Sequence, residues 1–135
     1  MRTVEHIREF LDLFVAWASA QTDVQAIALV GSYARGAAQD DSDIDLVILT
    51  DQPQAYLEDS KWAERFGGVE NHQTEDYGKL ISLRVWYQEG PEVEYGLTTP
   101  DWAALPLDAG TRQVLRGGMI ILFERGMALS RHAKI

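Results

Sequence analysis

The chain has 135 residues, 46% of them hydrophobic, and no cysteine, which fits one globular domain and excludes disulfides and thiolate metal sites. Its 21 acidic residues outnumber 12 basic ones, and the net charge of −9 argues against binding of long nucleic acid, although a metal ion could offset the charge of a single nucleotide. No apolar run reaches the roughly 18 residues of a membrane span, and the N-terminus lacks the apolar core of a signal peptide, so we expect a cytoplasmic protein.

The first half of the chain predicts two helices and two strands. Apolar residues at three- and four-residue spacing predict a helix over residues 3–21. The apolar run 24–30 predicts a central strand, and residues 44–50 predict a second strand. One continuous helix is expected over residues 51–66, because Pro at an early helical position favours a start there. Residues 69–78 show no clear pattern, and the polar residues 71–76 among them are expected to form a loop near the mouth of the site.

The second half predicts a hairpin, short helices and a last strand. The expected strands are residues 79–88, 92–98 and 119–123, and the expected short helices start at Thr99 and cover residues 111–116. The basic end, residues 126–135, is expected to fray. The sequence therefore predicts a single α+β domain over residues 1–135, with a small mixed sheet and helices on a face.

The stretch between the first two strands carries the chemistry. It reads GSYARGAAQDDSDIDL, from Gly31 to Leu46. Asp43 and Asp45 lie two residues apart at the start of a strand, so both carboxylates point to the same face. Carboxylates can hold Mg²⁺, and backbone N–H groups of a Gly-Ser turn can cradle phosphate together with the Ser32 hydroxyl. Gly31 would let the backbone approach a ligand closely. The stretch therefore predicts a site for a metal–nucleotide complex.

Two interpretations of Arg35 remain open from the sequence. Its side chain could reach a phosphate, or it could pair with the acidic residues Asp40, Asp41 and Asp43. Asp40 and Asp41 lie in the loop ahead of the Asp pair and are expected to be solvated.

The order GSYARG, a gap, then SDIDL resembles the signature of the polymerase-beta-like nucleotidyltransferases. It is most similar to the minimal nucleotidyltransferase and antibiotic adenylyltransferase branch. The resemblance implies a nucleotidyltransferase fold and transfer of a nucleoside monophosphate, AMP from ATP, to a hydroxyl with release of pyrophosphate. It also implies Mg²⁺ or Mn²⁺ bound by Asp43 and Asp45, with Gly31, Ser32 and Arg35 on the nucleotide.

A third carboxylate is expected on a later strand. Glu94 stands in mid-strand between Val93 and Tyr95, where an unpaired charge would be costly to bury. The resemblance implies that Glu94 completes the metal site or takes the acceptor proton. Glu92, on the same face, is the second candidate, but the adjacent turn predicts that it is exposed. The alternative for Glu94 is a cross-strand ion pair with Arg84 or Lys79.

The acceptor side of the site is not defined by the sequence. Larger members of the superfamily append a helical domain, for which 135 residues leave little room. The resemblance therefore implies that a helical partner protein completes the site, or that a homodimer does so. The alternative from another class is a non-catalytic nucleotide-binding or antitoxin-like module that acts through a helical partner.

Overall fold

A six-stranded mixed sheet carries the fold, with helices packed against one of its faces. The computed structural model describes residues 4–36, 42–89, 91–103, 119–126 and 129. The elements are α1 (Val4–Ser19), β1 (Val24–Val30), α2 (Gly31–Ala34), β2 (Ile44–Thr50), α3 (Pro53–Glu58), a first 3₁₀ helix (Ser60–Phe66), β3 (Val69–Asp76), β4 (Ile81–Tyr87), β5 (Glu92–Thr98), a second 3₁₀ helix (Pro100–Ala103) and β6 (Met119–Glu124). The α+β class with a mixed sheet agrees with the prediction.

The strand order is β3-β4-β5-β2-β1-β6. β2 and β5 run parallel, whereas the other neighbouring pairs are antiparallel. A parallel pair requires a long crossover, and here the crossover contains α3, the first 3₁₀ helix, β3 and β4. This topology brings the start of β2 beside the start of β5.

The main core lies between the sheet and the helical layer. The apolar stripe of α1 buries Phe10 and Phe14 against β4, β5 and the first 3₁₀ helix. The rings of Phe14 and the fully buried Tyr95 lie 5.4 Å apart. The Tyr87 hydroxyl donates to the Ala63 carbonyl at 2.8 Å, so the Tyr95 hydroxyl donates in turn to Tyr87 at 2.7 Å. This chain of hydrogen bonds satisfies both buried phenols.

The opposite face of the sheet is apolar at one end and polar at the other. Side chains of β1, β2 and β6 form a smaller cluster there, which includes Ala28, Val47 and Leu49. Leu129, in the segment expected to fray, is fully buried in this cluster, and its N–H donates to Glu124. Residues 130–135 lie outside the described residues. The polar end of this face holds the candidate site.

The expected helix over residues 51–66 is wrong, because it is two shorter helices. Asp59 adopts an extended conformation between them, with φ −127° and ψ 99°, and its side chain accepts from the N–H of Lys61. An Asp that caps a new helix start competes with helix continuation. Trp62 then donates from its indole to the Tyr56 carbonyl at 2.9 Å, which fixes the second segment against the first.

The loop expected over residues 71–76 is also wrong, because residues 69–76 form the edge strand β3. Its side chains are nearly all exposed, so the sequence lacks the apolar alternation by which strands are found. Pairing with β4 satisfies its backbone instead. The helix expected over residues 111–116 lies outside the described residues. Among the helices that are described, none is long and apolar enough to cross a membrane.

Candidate active site

Three charged residues lie in register across neighbouring strands at the polar end of the open face. Asp45 of β2 is the register partner of Glu94 of β5, and Glu94 is the register partner of Arg84 of β4. Directly paired residues of neighbouring strands point to the same face. Asp45 and Glu94 therefore share a face of the sheet, although the two residues come from strands far apart in the chain.

The Gly31 turn packs directly against Asp45. Gly31 has φ +73°, a conformation that favours glycine, and a Cβ at this position would lie 2.2 Å from Asp45 Oδ2. The space that a side chain would fill is thus occupied by the Asp45 carboxylate, a protein group rather than a ligand. Ser32, the next residue, is half-buried in the short helix α2. The turn and the first acidic strand therefore meet at one point.

Arg84 is bonded to four carboxylates. Its Nη1 donates to Glu92 Oε2 at 2.6 Å and to Asp43 Oδ2 at 3.3 Å. Its Nε donates to Glu75 Oε1 at 3.0 Å, and its Nη2 to Glu94 Oε2 at 3.2 Å. Burial alone would lower the pKa of Arg84, but the negative charge of Glu94 and its neighbours raises it above its ordinary value. Arg84 is therefore a permanent cation at the centre of the acidic cluster.

The two aspartates of the motif hold their protons more strongly than exposed carboxyls do. Burial and the negative charge of Glu94 raise the pKa of Asp45 from 3.8 to about 7. Burial, followed by hydrogen bonding to Glu92, raises the pKa of Asp43, although Arg84 opposes the shift. The cluster thus carries more negative charge than its surroundings stabilise, which is a property of sites that bind cations.

The sequence prediction that Glu92 is exposed is wrong. Its side chain is only 23% exposed and makes the shortest of the contacts to Arg84. Although Glu92 follows a turn, its carboxylate lies on the open face because it is bonded to the Arg84 guanidinium. The cross-strand pair of Glu94 with Arg84, which was kept as an alternative role, is present. Glu94 therefore contacts Arg84 and also lies beside Asp45.

Arg35 lies apart from this cluster. It is exposed at the end of α2 and forms no ion pair with any residue that the structure describes. The pairing with Asp43, one of the two alternatives for Arg35, is not observed, since the cation beside Asp43 is Arg84. Asp40 and Asp41 lie outside the described residues, so a pairing with them is neither supported nor contradicted.

Sequence reasoning missed two residues that support the cluster. Tyr77 donates its hydroxyl to Glu75, and this bond is the main reason why the pKa of Glu75 is lowered. Glu75 falls in the stretch predicted as a loop, and Tyr77 directly follows that stretch. Arg84 itself was considered only as a partner of Glu94. Its position between Leu83 and Val85 in an apolar strand was the available signal, because a charge in such a strand needs partners.

The donor set suits a hard divalent cation. Asp43, Asp45 and Glu94 offer only carboxylate oxygens, which Mg²⁺ and Mn²⁺ prefer. Within the described residues, no group of three or more acidic or histidine side chains is already gathered closely enough to hold an ion. Asp43 and Glu94 are each bonded to Arg84. The residues fit such an ion once these two side chains leave the guanidinium.

The nucleotidyltransferase domain family matches residues 7–94, more than half of the chain, including the Gly31 turn, Asp45 and Glu94. The chain belongs to this family. The GSYARG and SDIDL motifs implied this membership, and that expectation is confirmed. No curated protein matches the sequence.

Several solved structures share the fold of this chain at low sequence identity. An aminoglycoside 6-adenyltransferase from Bacillus subtilis is 18% identical with a TM-score of 0.58, and the match covers 76% of this chain and 37% of that chain. The non-canonical poly(A) polymerase complex GLD-2–GLD-3 is 19% identical with a TM-score of 0.52, and the match covers 74% of this chain and 36% of that chain. Cid1 in complex with the UTP analogue UMPNPP is 18% identical with a TM-score of 0.50, and the match covers 69% of this chain and 30% of that chain. These likenesses establish the fold, and the chain spans about a third of the length of each of these proteins.

Proposed function

We propose that this nucleotidyltransferase transfers a nucleoside monophosphate, AMP from ATP, to a hydroxyl acceptor and releases pyrophosphate. The observation that carries the proposal is the meeting of the Gly31 turn, Asp45 and Glu94 at one end of the open face. A phosphate-binding turn and convergent carboxylates are the two parts that a metal–nucleotide site requires.

Each residue has a role in this proposal. Asp43 and Asp45 hold Mg²⁺ or Mn²⁺, and the backbone of Gly31 and the Ser32 hydroxyl bind the triphosphate. Glu94 completes the carboxylate set or takes the proton of the acceptor hydroxyl. The acceptor oxygen then bonds to the α-phosphorus, and the bond from that phosphorus to the pyrophosphate oxygen breaks. The bound cation neutralises charge on the phosphates. The protein otherwise contributes alignment of the two reactants.

Arg35 is proposed as a phosphate contact because its side chain is exposed beside the turn and has no ion pair among the described residues. An exposed guanidinium can bond two phosphate oxygens at once. The choice of AMP rests on the sequence resemblance and on the adenyltransferase among the structural neighbours. Another neighbour, Cid1, is bound to a UTP analogue. All four ribonucleoside triphosphates therefore belong in the assay.

The acceptor is proposed to be a small molecule or a protein. The chain spans about a third of the length of its structural neighbours, so further protein is expected to complete the acceptor side. A helical partner protein or a second copy of the chain could supply it. The net charge of −9 argues against a long nucleic acid as acceptor.

The test incubates the purified protein with ATP labelled on the α-phosphate, Mg²⁺ and an extract of its source cells. Asp45→Asn is the control, because it keeps the shape of the side chain and removes its charge. We expect label transfer by the native protein alone, and the labelled product identifies the acceptor as a protein or a small molecule. Binding of ATP without transfer under any condition would support a non-catalytic nucleotide-binding module instead.

A further inference from the structure

The four contacts of Arg84 fall into two pairs. Its shorter contacts, at 2.6 and 3.0 Å, are to Glu92 and Glu75. Its longer contacts, at 3.3 and 3.2 Å, are to Asp43 and Glu94. Of these four residues, the proposed cation ligands are Asp43 and Glu94. Arg84 is thus held most closely by the two carboxylates that have no proposed role in binding the metal.

The position of Arg84 is fixed from several directions. Its side chain is 21% exposed, and the guanidinium lies 6.0 Å from the centre of the Trp86 ring on the same strand. Glu75 approaches from β3, Glu92 from β5, and Asp43 from the residue before β2. A planar group with five donors in fixed directions can bond several carboxylates at once, whereas an ammonium cannot match this geometry.

We infer that Arg84 is a resident counter-ion, which holds Asp43 and Glu94 in the metal-free protein and competes with the divalent cation for both carboxylates. This inference rests on the proposed function, since it takes Asp43, Asp45 and Glu94 as the cation ligands. Arg84 is a positioning residue: it acts on the site through the carboxylates. Glu75 and Glu92 keep the guanidinium in place when the other two side chains leave it.

The inference predicts opposite effects of one substitution on stability and on metal binding. Arg84→Met leaves the long side chain volume but removes the charge, so the metal-free carboxylates repel one another and the protein melts at a lower temperature. The same substitution removes a competitor and a nearby positive charge, so the Kd for Mn²⁺ is expected to fall about tenfold. A purely structural role would instead disorder the carboxylates and weaken metal binding.

The experiment measures Mn²⁺ binding without nucleotide, by electron paramagnetic resonance, together with thermal melting with and without Mn²⁺. Arg65→Met is the matched control, since Arg65 is exposed and lies over Trp17 on the helical side of the sheet. It changes the net charge equally, and we expect its Kd to stay within about twofold of the native value because distant surface charges are screened. Arg84→Lys keeps the charge and remains informative if Arg84→Met does not fold. We expect its Kd to stay within about threefold of the native value, with a lower metal-free melting temperature.

The outcomes separate this inference from the proposed function. Tighter Mn²⁺ binding by Arg84→Met supports the inference; if Arg84→Met is unfolded, a near-native Kd with a lowered melting temperature in Arg84→Lys supports it instead. If the native protein binds Mn²⁺ and Asp45→Asn does not, the proposed site stands; weaker or unchanged binding by Arg84→Met would then overturn the inference alone. If Arg84→Met is unfolded, a loss of Mn²⁺ binding in Arg84→Lys has the same consequence. Absence of Mn²⁺ binding by the native protein, with and without ATP, overturns both.

Discussion

Asp45 and Glu94 lie directly opposite each other on the parallel strands β2 and β5. The negative charge of Glu94 is, after burial, the main cause of the raised pKa of Asp45. Two neighbouring carboxylates that repel each other weaken the fold when no cation is bound. The arrangement that suits the proposed activity is therefore expected to reduce stability, and this cost can be measured.

Asp45→Asn is expected to stabilise the metal-free protein while it abolishes metal-dependent nucleotide transfer. The amide has nearly the shape of the carboxyl but no charge, so the repulsion with Glu94 disappears. At pH 8 in the presence of a chelator, we expect the melting temperature to rise by about 2–5 °C, because removal of a buried, poorly compensated charge commonly stabilises a protein. Asp43→Asn is the control. Asp43 contacts Arg84, so its neutral variant should gain less. A lower melting temperature for Asp45→Asn would contradict this account.

The stabilising effect of Asp45→Asn should depend on pH. The pKa of Asp45 is about 7 in the folded chain and near 3.8 when the group is free of its neighbours. The folded state therefore holds a proton that the unfolded chain has released, and stability declines as the pH rises from about 4 to about 7. Differential scanning fluorimetry of both proteins from pH 4.5 to 8.5 should give a difference that grows up to pH 7 and then levels. The groups facing Asp45 are Glu94, Asp43 and Arg84. If the difference in melting temperature did not depend on pH, Asp45 would not keep a proton in this pH range.

Gly31→Ala and Gly36→Ala form a matched pair. Both glycines have positive φ, at 73° and 69°, so an alanine at either position should cost about 1 kcal/mol in backbone strain. Only at Gly31 would the new Cβ collide with the Asp45 carboxylate, since no atom of the described residues lies within 4 Å of a Cβ built at Gly36. We expect Gly31→Ala to cost about 2–4 kcal/mol of unfolding free energy in urea titrations, and to lose nucleotide transfer. Equal losses in the two variants would refute the packing of the turn on Asp45.

Glu94→Gln and Glu92→Gln distinguish the two candidates for the third carboxylate. Both substitutions remove the negative charge of one carboxylate that is bonded to Arg84, but only Glu94 is the register partner of Asp45. In single-turnover assays with labelled ATP, we expect Glu94→Gln to lower the rate at least about 100-fold and Glu92→Gln by less than about tenfold. The reverse order would assign the role to Glu92.

The sequence predicted those parts of the fold and site that depend on local pattern. The apolar runs placed β1 and β2 correctly, and the GSYARG and SDIDL motifs identified the family. Mid-strand Glu94 was found because burial of an unpaired charge needs a reason. The reason visible in the structure is its set of neighbours, Asp45 and Arg84, which no local pattern contains.

The errors arose where partners distant in sequence determine the structure. β3 is an edge strand whose exposed side chains carry no periodic apolar signal, and only pairing with β4 defines it. Glu92 was expected in solvent because it follows a turn, whereas Arg84 binds it. The break at Asp59 is an exception with a local cause, since an Asp can cap a new helix start. It was missed because the apolar residues on both sides of Asp59 favoured the prediction of one continuous helix.

The crossover between β2 and β5 has a consequence for the order of folding. Asp45 and Glu94 are 49 residues apart in the chain. They become neighbours only when β2 pairs with β5, which closes the crossover between these strands into a loop. Contacts of such long range are made late, because the entropy of loop closure must first be offset by nearer contacts. A ribosome-bound chain from which β5 has not yet emerged would contain the GSYARG and SDIDL motifs but no complete site. The capacity to bind a cation should therefore appear during synthesis only after β5 has left the ribosome.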